Sequence, residues 1–152
     1  YGARHRGFSG QGLIETLNQN GIKVLRDEMV LIDDNLYLIG RKDKSQGRQS
    51  MDELTDDLDK SKYILVLDHQ PNDYENQIRA GADLVLSGHT HGGQLFPFNY
   101  VSEYLKINDK TYGYERRGQT DFIVTSGISD WAIRFKTGTQ SEYVIIDLSK
   151  KE

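Results

Sequence analysis

Apolar positions along the 152-residue chain change period several times, and each change marks an element. Leu13, Ile14 and Leu17 recur at helical spacing after Ser9-Gly10 and stop before Asn20-Gly21, where a glycine takes the left-handed position that closes a helix. That spacing predicts a short amphipathic helix. Val30, Leu31 and Ile32 are separated from Leu36, Leu38 and Ile39 by the turn-forming trio Asp33-Asp34-Asn35, so residues 22 to 40 are predicted to hold a hairpin. Ser50 and Glu53 have the spacing of a capping box, and Met51, Leu54 and Leu58 supply an apolar stripe, predicting a helix over about residues 51 to 59. A buried strand is predicted at Tyr63 to Leu67, then the loop Asp68-His69-Gln70-Pro71, a helix from Asp73 to Ala80 stopped by Gly81, and a second apolar strand from Asp83 to Leu86. Strand, loop, helix and strand in that order build a parallel sheet, which places the chain in the α/β class.

After Gln94 the period is lost. Leu95 to Phe98 is apolar, and the stretch to Gln119, with Tyr100, Tyr104, Tyr112, Tyr114, Arg116 and Arg117, has the character of a long surface excursion. Its tyrosines are expected to pack or face solvent rather than line a cleft. Phe122-Ile123-Val124 and Glu142 to Leu148 return to strand pattern, and no linker, repeat or low-complexity segment divides the chain.

Composition narrows the chemistry. A hydrophobic content of 36% with this patterning excludes disorder, and a net charge of -4 with scattered lysines and arginines gives no basic stripe, so no nucleic-acid-binding surface is expected. Without cysteine there is no disulfide, thiolate nucleophile or cysteine-ligated zinc, and a metal would be held by imidazole and oxygen ligands. No run approaches the roughly 18 to 20 apolar residues that span a bilayer. The chain carries no membrane segment of its own, which leaves a cytoplasmic location or attachment through an anchor elsewhere.

Two of the four histidines lie one residue apart in Ser87-Gly88-His89-Thr90-His91-Gly92-Gly93-Gln94. In extended backbone, residues at i and i+2 project to one side, and both His69 and the His89/His91 pair directly follow predicted strands. Loops at the carboxyl ends of parallel strands are where open α/β sheets place their sites. Neighbouring strands would bring the three imidazoles to one edge. On spacing alone, metal ligation and ordinary exposed or hydrogen-bonded histidines stand level, and Gly88, Gly92 and Gly93 suit either a close ligand or a plain turn. The segment from Gly40 to Gly47, with Arg41, Lys42, Asp43 and Lys44, and Arg48 beyond it, is expected to be a solvated loop, as is His5 between two arginines.

The run Asp83 to Gln94, preceded by Asp68-His69-Gln70-Pro71, resembles the carboxyl-terminal half of calcineurin-like metallophosphoesterases, in particular the bacterial subgroup that carries GHTHGGQ. Gly40 to Asp43, and Val124 to Gly127 with Arg134 and Glu142, resemble further segments of that family. The resemblance implies a four-layer α/β/β/α sandwich with mixed sheets. It also implies hydrolysis of a phosphomonoester or phosphodiester substrate at two divalent metal ions, manganese, iron or zinc, bridged by an aspartate and a solvent species. By position, His69 and His89 resemble ligands of one metal and His91 a ligand of the other. The family's amino-terminal motifs DxH, GDxxD and GNH do not occur, and in the family GNH lies just before a segment resembling Tyr1-Gly2-Ala3.

The resemblance therefore implies that residues 1 to 152 are the carboxyl-terminal portion of one metallophosphoesterase domain, its amino-terminal portion missing. Such a portion would hold one metal or none and be inactive alone, with no catalytic residue assignable. Half a sandwich exposes an apolar face and strand edges, so self-association is expected. A second class stands beside this one: a non-catalytic metal-binding or interaction module using His69, His89 and His91, with a single zinc or nickel ion or none.

Overall fold

The computed structural model describes residues 10–97, 101 and 104–149. His5 and Tyr100 lie outside those residues, as does the segment compared with the family's GNH boundary. Among the described residues the α-helices α1 Gly10–Gln19, α2 Met51–Thr55 and α3 Tyr74–Arg79 accompany six strands. These are β1 Glu28–Ile32, β2 Leu36–Gly40, β3 Tyr63–Leu67, β4 Leu84–Ser87, β5 Gly113–Arg117 and β6 Thr120–Val124, in the sheet order β1-β2-β3-β4-β6-β5. β2, β3, β4 and β6 run parallel, while β1 and β5 pair antiparallel at the two edges. The result is a mixed α/β sheet with the parallel centre that the apolar runs predict.

Local chemistry explains the connections. Asp33 and Asp34 take φ of 47 and 55, and the Asn35 amide donates to the Ile32 carbonyl at 3.1 Å, a tight turn whose twist suits the hairpin. Ser50 accepts from the Glu53 amide and Glu53 accepts from the Ser50 amide, so the capping box forms. The helix it starts ends at Thr55 rather than near residue 59, although Leu58 still reaches the core.

The core lies on one face. Tyr37, Ile39, Ile64, Val66, Val85 and Phe122 point to that face and pack with Met51, Leu58, Tyr74, Ala80 and Ala82, the Tyr74 and Phe122 rings stacking with centroids 3.7 Å apart. Fully burying a side chain of this size stabilises by about 1.5–3 kcal/mol. On the opposite face Leu65 and Leu84 are buried, Leu38, Leu86 and Ile123 half-buried, and Ile32, Tyr63 and Leu67 exposed. Among the described residues no helix buries that second face, and α1 itself buries none of its residues.

Two expectations change. Residues 142 to 148 form no strand: after the Glu142 amide donates to the Gly127 carbonyl at 3.0 Å, the segment runs on unpaired with Tyr143 and Ile145 exposed. Neither edge of β6 is free for it, because β4 occupies one and β5 the other. β5 itself arises inside the stretch expected to be a surface excursion. Gly118 at φ 61 turns Arg117 back toward Thr120, and Tyr114 and Arg116 both bond the Asp121 carboxylate across the hairpin.

Candidate metal centre

β3 and β4 lie side by side with Leu67 opposite Leu86, so the loops that follow them leave from the same edge. The ladder continues past both strands: the Asp68 amide donates to the Leu86 carbonyl at 3.1 Å and the Gly88 amide to the His69 carbonyl at 3.2 Å. His69 and His89 therefore meet, ring centroids 5.0 Å apart and edge to face at 79°. His91 joins them on the wall of one cavity of about 730 Å³. The structure brings together all three histidines that the spacing singled out.

It does so by a different backbone from the extended one. His89, His91 and Gln94 take φ of 69, 50 and 41, the left-handed region that costs a non-glycine residue roughly 1 kcal/mol or more, and residues 91–93 form a 3-10 turn. Side chains around the turn hold it. Thr90 Oγ1 donates to the Thr111 carbonyl at 2.6 Å, and Thr139 Oγ1 donates to the His91 carbonyl at 2.9 Å. Gly92 is required twice over, by a φ of 61 and because a Cβ there would overlap Thr139.

The loop that carries His69 stands on a buried ion network. Asp68, 1% exposed, accepts from Arg41 at 3.1 Å, Arg48 at 2.9 Å and Gln77 at 2.9 Å, and both arginines also reach Asp73. The expectation of a solvated loop fails at Arg41 and Arg48, because two carboxylates on the neighbouring β3–α3 connection supply buried counter-charges invisible to local composition. Asp43 behaves differently. It caps the turn Lys44–Gln46, and hydrogen bonds from Ser45 hold its carboxyl below the usual range, with His69 and His89 adding to that effect.

The imidazoles differ in setting. Loss of hydration and then the proximity of His89 lower the His69 pKa, against a smaller opposing pull from Asp43. His69 is biased toward the neutral, lone-pair-bearing form that binds metals. His91 Nδ1 lies 2.9 Å from the Ser129 carbonyl. A carbonyl only accepts, so Nδ1 holds the proton and the neutral ring keeps its lone pair on Nε2. In kind, these donors suit a divalent cation. As a set they do not close around one, since among the described residues no three histidine, aspartate or glutamate side chains converge within metal-holding distance.

Two further residues shape the site, Gln94 and Lys136. Gln94 is buried: its Nε2 donates to the carbonyls of Trp131, Ile133 and Phe135 at 3.0, 3.1 and 3.1 Å, and its Oε1 accepts from the Trp131 amide at 2.8 Å. The Lys136 ammonium, 6% exposed, lies 3.4 Å from the Ser126 and Gly127 carbonyls and 3.7 Å from Asp130. Together they fix the segment that offers its Ser129 carbonyl to His91. Only the position of Gln94 at the end of the histidine-glycine run hinted at it.

The fold and site define an α/β protein with an imidazole cluster at the carboxyl edge of a parallel sheet. Over 98 residues the chain is 38% identical to an uncharacterized metallophosphoesterase of Campylobacter jejuni, a match covering 63% of this chain and 25% of that protein. Over 94 residues it is 39% identical to one of Aquifex aeolicus, covering 58% and 36% of the two chains. A Bacillus subtilis metallophosphoesterase is 28% identical over 140 residues, 87% of this chain and 51% of the relative. The chain thus spans about a quarter to a half of the length of these relatives. No protein-family model matches it, and no solved structure does. These relatives, each named a metallophosphoesterase, support that family for the stretch they share with this chain.

Proposed function

We propose that this chain carries the imidazole share of a metallophosphoesterase site of the GHTHGGQ subgroup. The supporting observation is the delivery of His69, His89 and His91 to one cavity from the carboxyl ends of adjacent parallel strands. On this reading His69 and His89 hold one divalent ion and His91 a second, manganese, iron or zinc. When bound, such a pair of ions lowers the pKa of a water and offsets the charge that grows on the phosphate oxygens. The chain's own part is to present imidazole lone pairs, with the Ser129 carbonyl holding the Nδ1 proton of His91.

Bridging carboxylates come from outside this chain, which by itself is inactive and holds one ion or none. The apolar face left open at Ile32, Tyr63 and Leu67 supports the same assignment, because in a four-layer α/β/β/α sandwich it packs against a second sheet. Left open, it joins copies of the chain; a monomer by light scattering at high micromolar concentration refutes that association.

The test is hydrolysis of p-nitrophenyl phosphate and bis(p-nitrophenyl) phosphate with manganese, by this chain and by the full gene product that contains it. Activity confined to the full product and lowered roughly 100-fold by His89→Ala supports the proposal. A full product inert with manganese, iron and zinc refutes it and leaves the non-catalytic module that uses the same histidines.

A further inference from the structure

Beyond its imidazoles, the 730 Å³ cavity has an apolar wall that includes Leu95, Trp131, Ala132 and Ile133. Trp131 and Ile133 are 57% and 50% exposed, an unfavourable setting for large apolar side chains that nothing among the described residues covers. The exposure is enforced. Gln94 ties the carbonyls of Trp131, Ile133 and Phe135 to one amide nitrogen, and the Ile133 and Phe135 amides donate to the Trp131 and Ile133 carbonyls at 2.6 and 2.9 Å. Ala132 takes φ of 61 to make that curl. The segment is thus pinned to the residue that ends the His91–Gly93 turn, so Trp131 and the imidazoles form one rigid wall.

We infer that this cavity is a subsite for an apolar alkyl or aryl group carried by a phosphate ester, and that Leu95, Trp131 and Ile133 select it. The inference rests on the phosphoesterase proposal, which puts the ester's phosphate at the imidazoles. Continuity fixes the occupant: whatever fills the cavity meets His69, His89 and His91 and the apolar wall together, so it joins an anionic group directly to an apolar one.

The experiment is calorimetric titration of the chain, in manganese, with methyl phosphate and with hexyl phosphate, while emission is followed from Trp131, the one tryptophan of the chain. Hexyl phosphate should bind at least roughly tenfold more tightly than methyl phosphate, from the added methylenes it buries, and shift the emission to the blue. Ile133→Ser keeps the tryptophan and should remove most of that gain without weakening methyl phosphate. Equal affinities for the two esters overturn the subsite while leaving the phosphoesterase proposal standing. Hexanol binding as tightly as hexyl phosphate also overturns the subsite, since the imidazoles then contribute nothing to it. A blue shift with phosphatidylglycerol vesicles and none with hexyl phosphate overturns the subsite in favour of a membrane-facing rim.

Discussion

Asp68 immediately precedes His69, and its removal exposes what holds the site's first loop in place. Its carboxylate accepts from the guanidinium groups of Arg41 and Arg48, whose side chains are 2% and 8% exposed, from Gln77 Nε2 and from the Gln70 amide. In Asp68→Ala, Asp73 alone faces both buried guanidiniums. Breaking a buried pair from one side costs about 3–5 kcal/mol, and the remaining Asp73 argues for the lower end, about 3 kcal/mol. Against a total of about 5–15 kcal/mol for a domain, that is a large fraction. With a urea dependence of about 1.5–2 kcal/mol per molar for a chain of this size, the unfolding midpoint should fall by roughly 1.5–2 M. Urea unfolding followed by circular dichroism measures it. Replacing the charges together, as Arg48→Met with Asp68→Leu, should restore part of the loss, because the cost lies in the uncompensated charge and not in the absent bond. A midpoint shift below about 0.5 M for Asp68→Ala, or a double variant worse than the sum of its singles, refutes the reasoning.

Gly92→Ala should destabilise by about 2–4 kcal/mol, combining the left-handed φ of 61 with the overlap of the new Cβ on Thr139, and Thr139→Gly in the same chain should recover the steric part in a thermal melt. Glu142 provides a pH test. The Tyr112 hydroxyl, bonding its carboxylate at 2.7 Å, lowers its pKa against partial burial, with Ser126 and Thr125 adding to the effect. A depressed carboxyl stabilises the fold fully above its ordinary pKa of 4.5 and loses that contribution as pH falls through the lower folded value. The stability difference between the parent chain and Glu142→Gln should therefore be constant from pH 7 to about 5.5 and shrink below about 4.5, as urea midpoints over that range would show; a difference that grows on acidification contradicts the assignment.

Local pattern and tertiary context divided the work residue by residue. Apolar runs bounded by turn residues located β2, β3 and β6 and placed α3 and β4 within a residue or two. The capping box at Ser50 and Glu53 and the Asp33-Asp34 turn formed as spaced, because such devices close over three or four residues and need no distant partner. Strand-then-loop order alone put His69, His89 and His91 at one edge, since parallel strands must start their following loops on the same side of the sheet.

What the tertiary structure decided depended on partners far away in sequence. Arg41 and Arg48 are buried only because Asp68 and Asp73 arrive from the next crossover, and residues 142 to 148 lose their strand pattern to β5, which claims the last edge of β6 through a turn of two residues. The left-handed backbone at His89 and His91 exists because Thr111, Ser129 and Thr139, each 21 or more residues away, hold the loop in it. The sequence by itself determined the parallel centre of the sheet and that imidazoles gather where it ends. Only the packing of distant loops decided how those imidazoles face one another and which apolar wall stands beside them, because a strained turn persists only where its neighbours over-determine it.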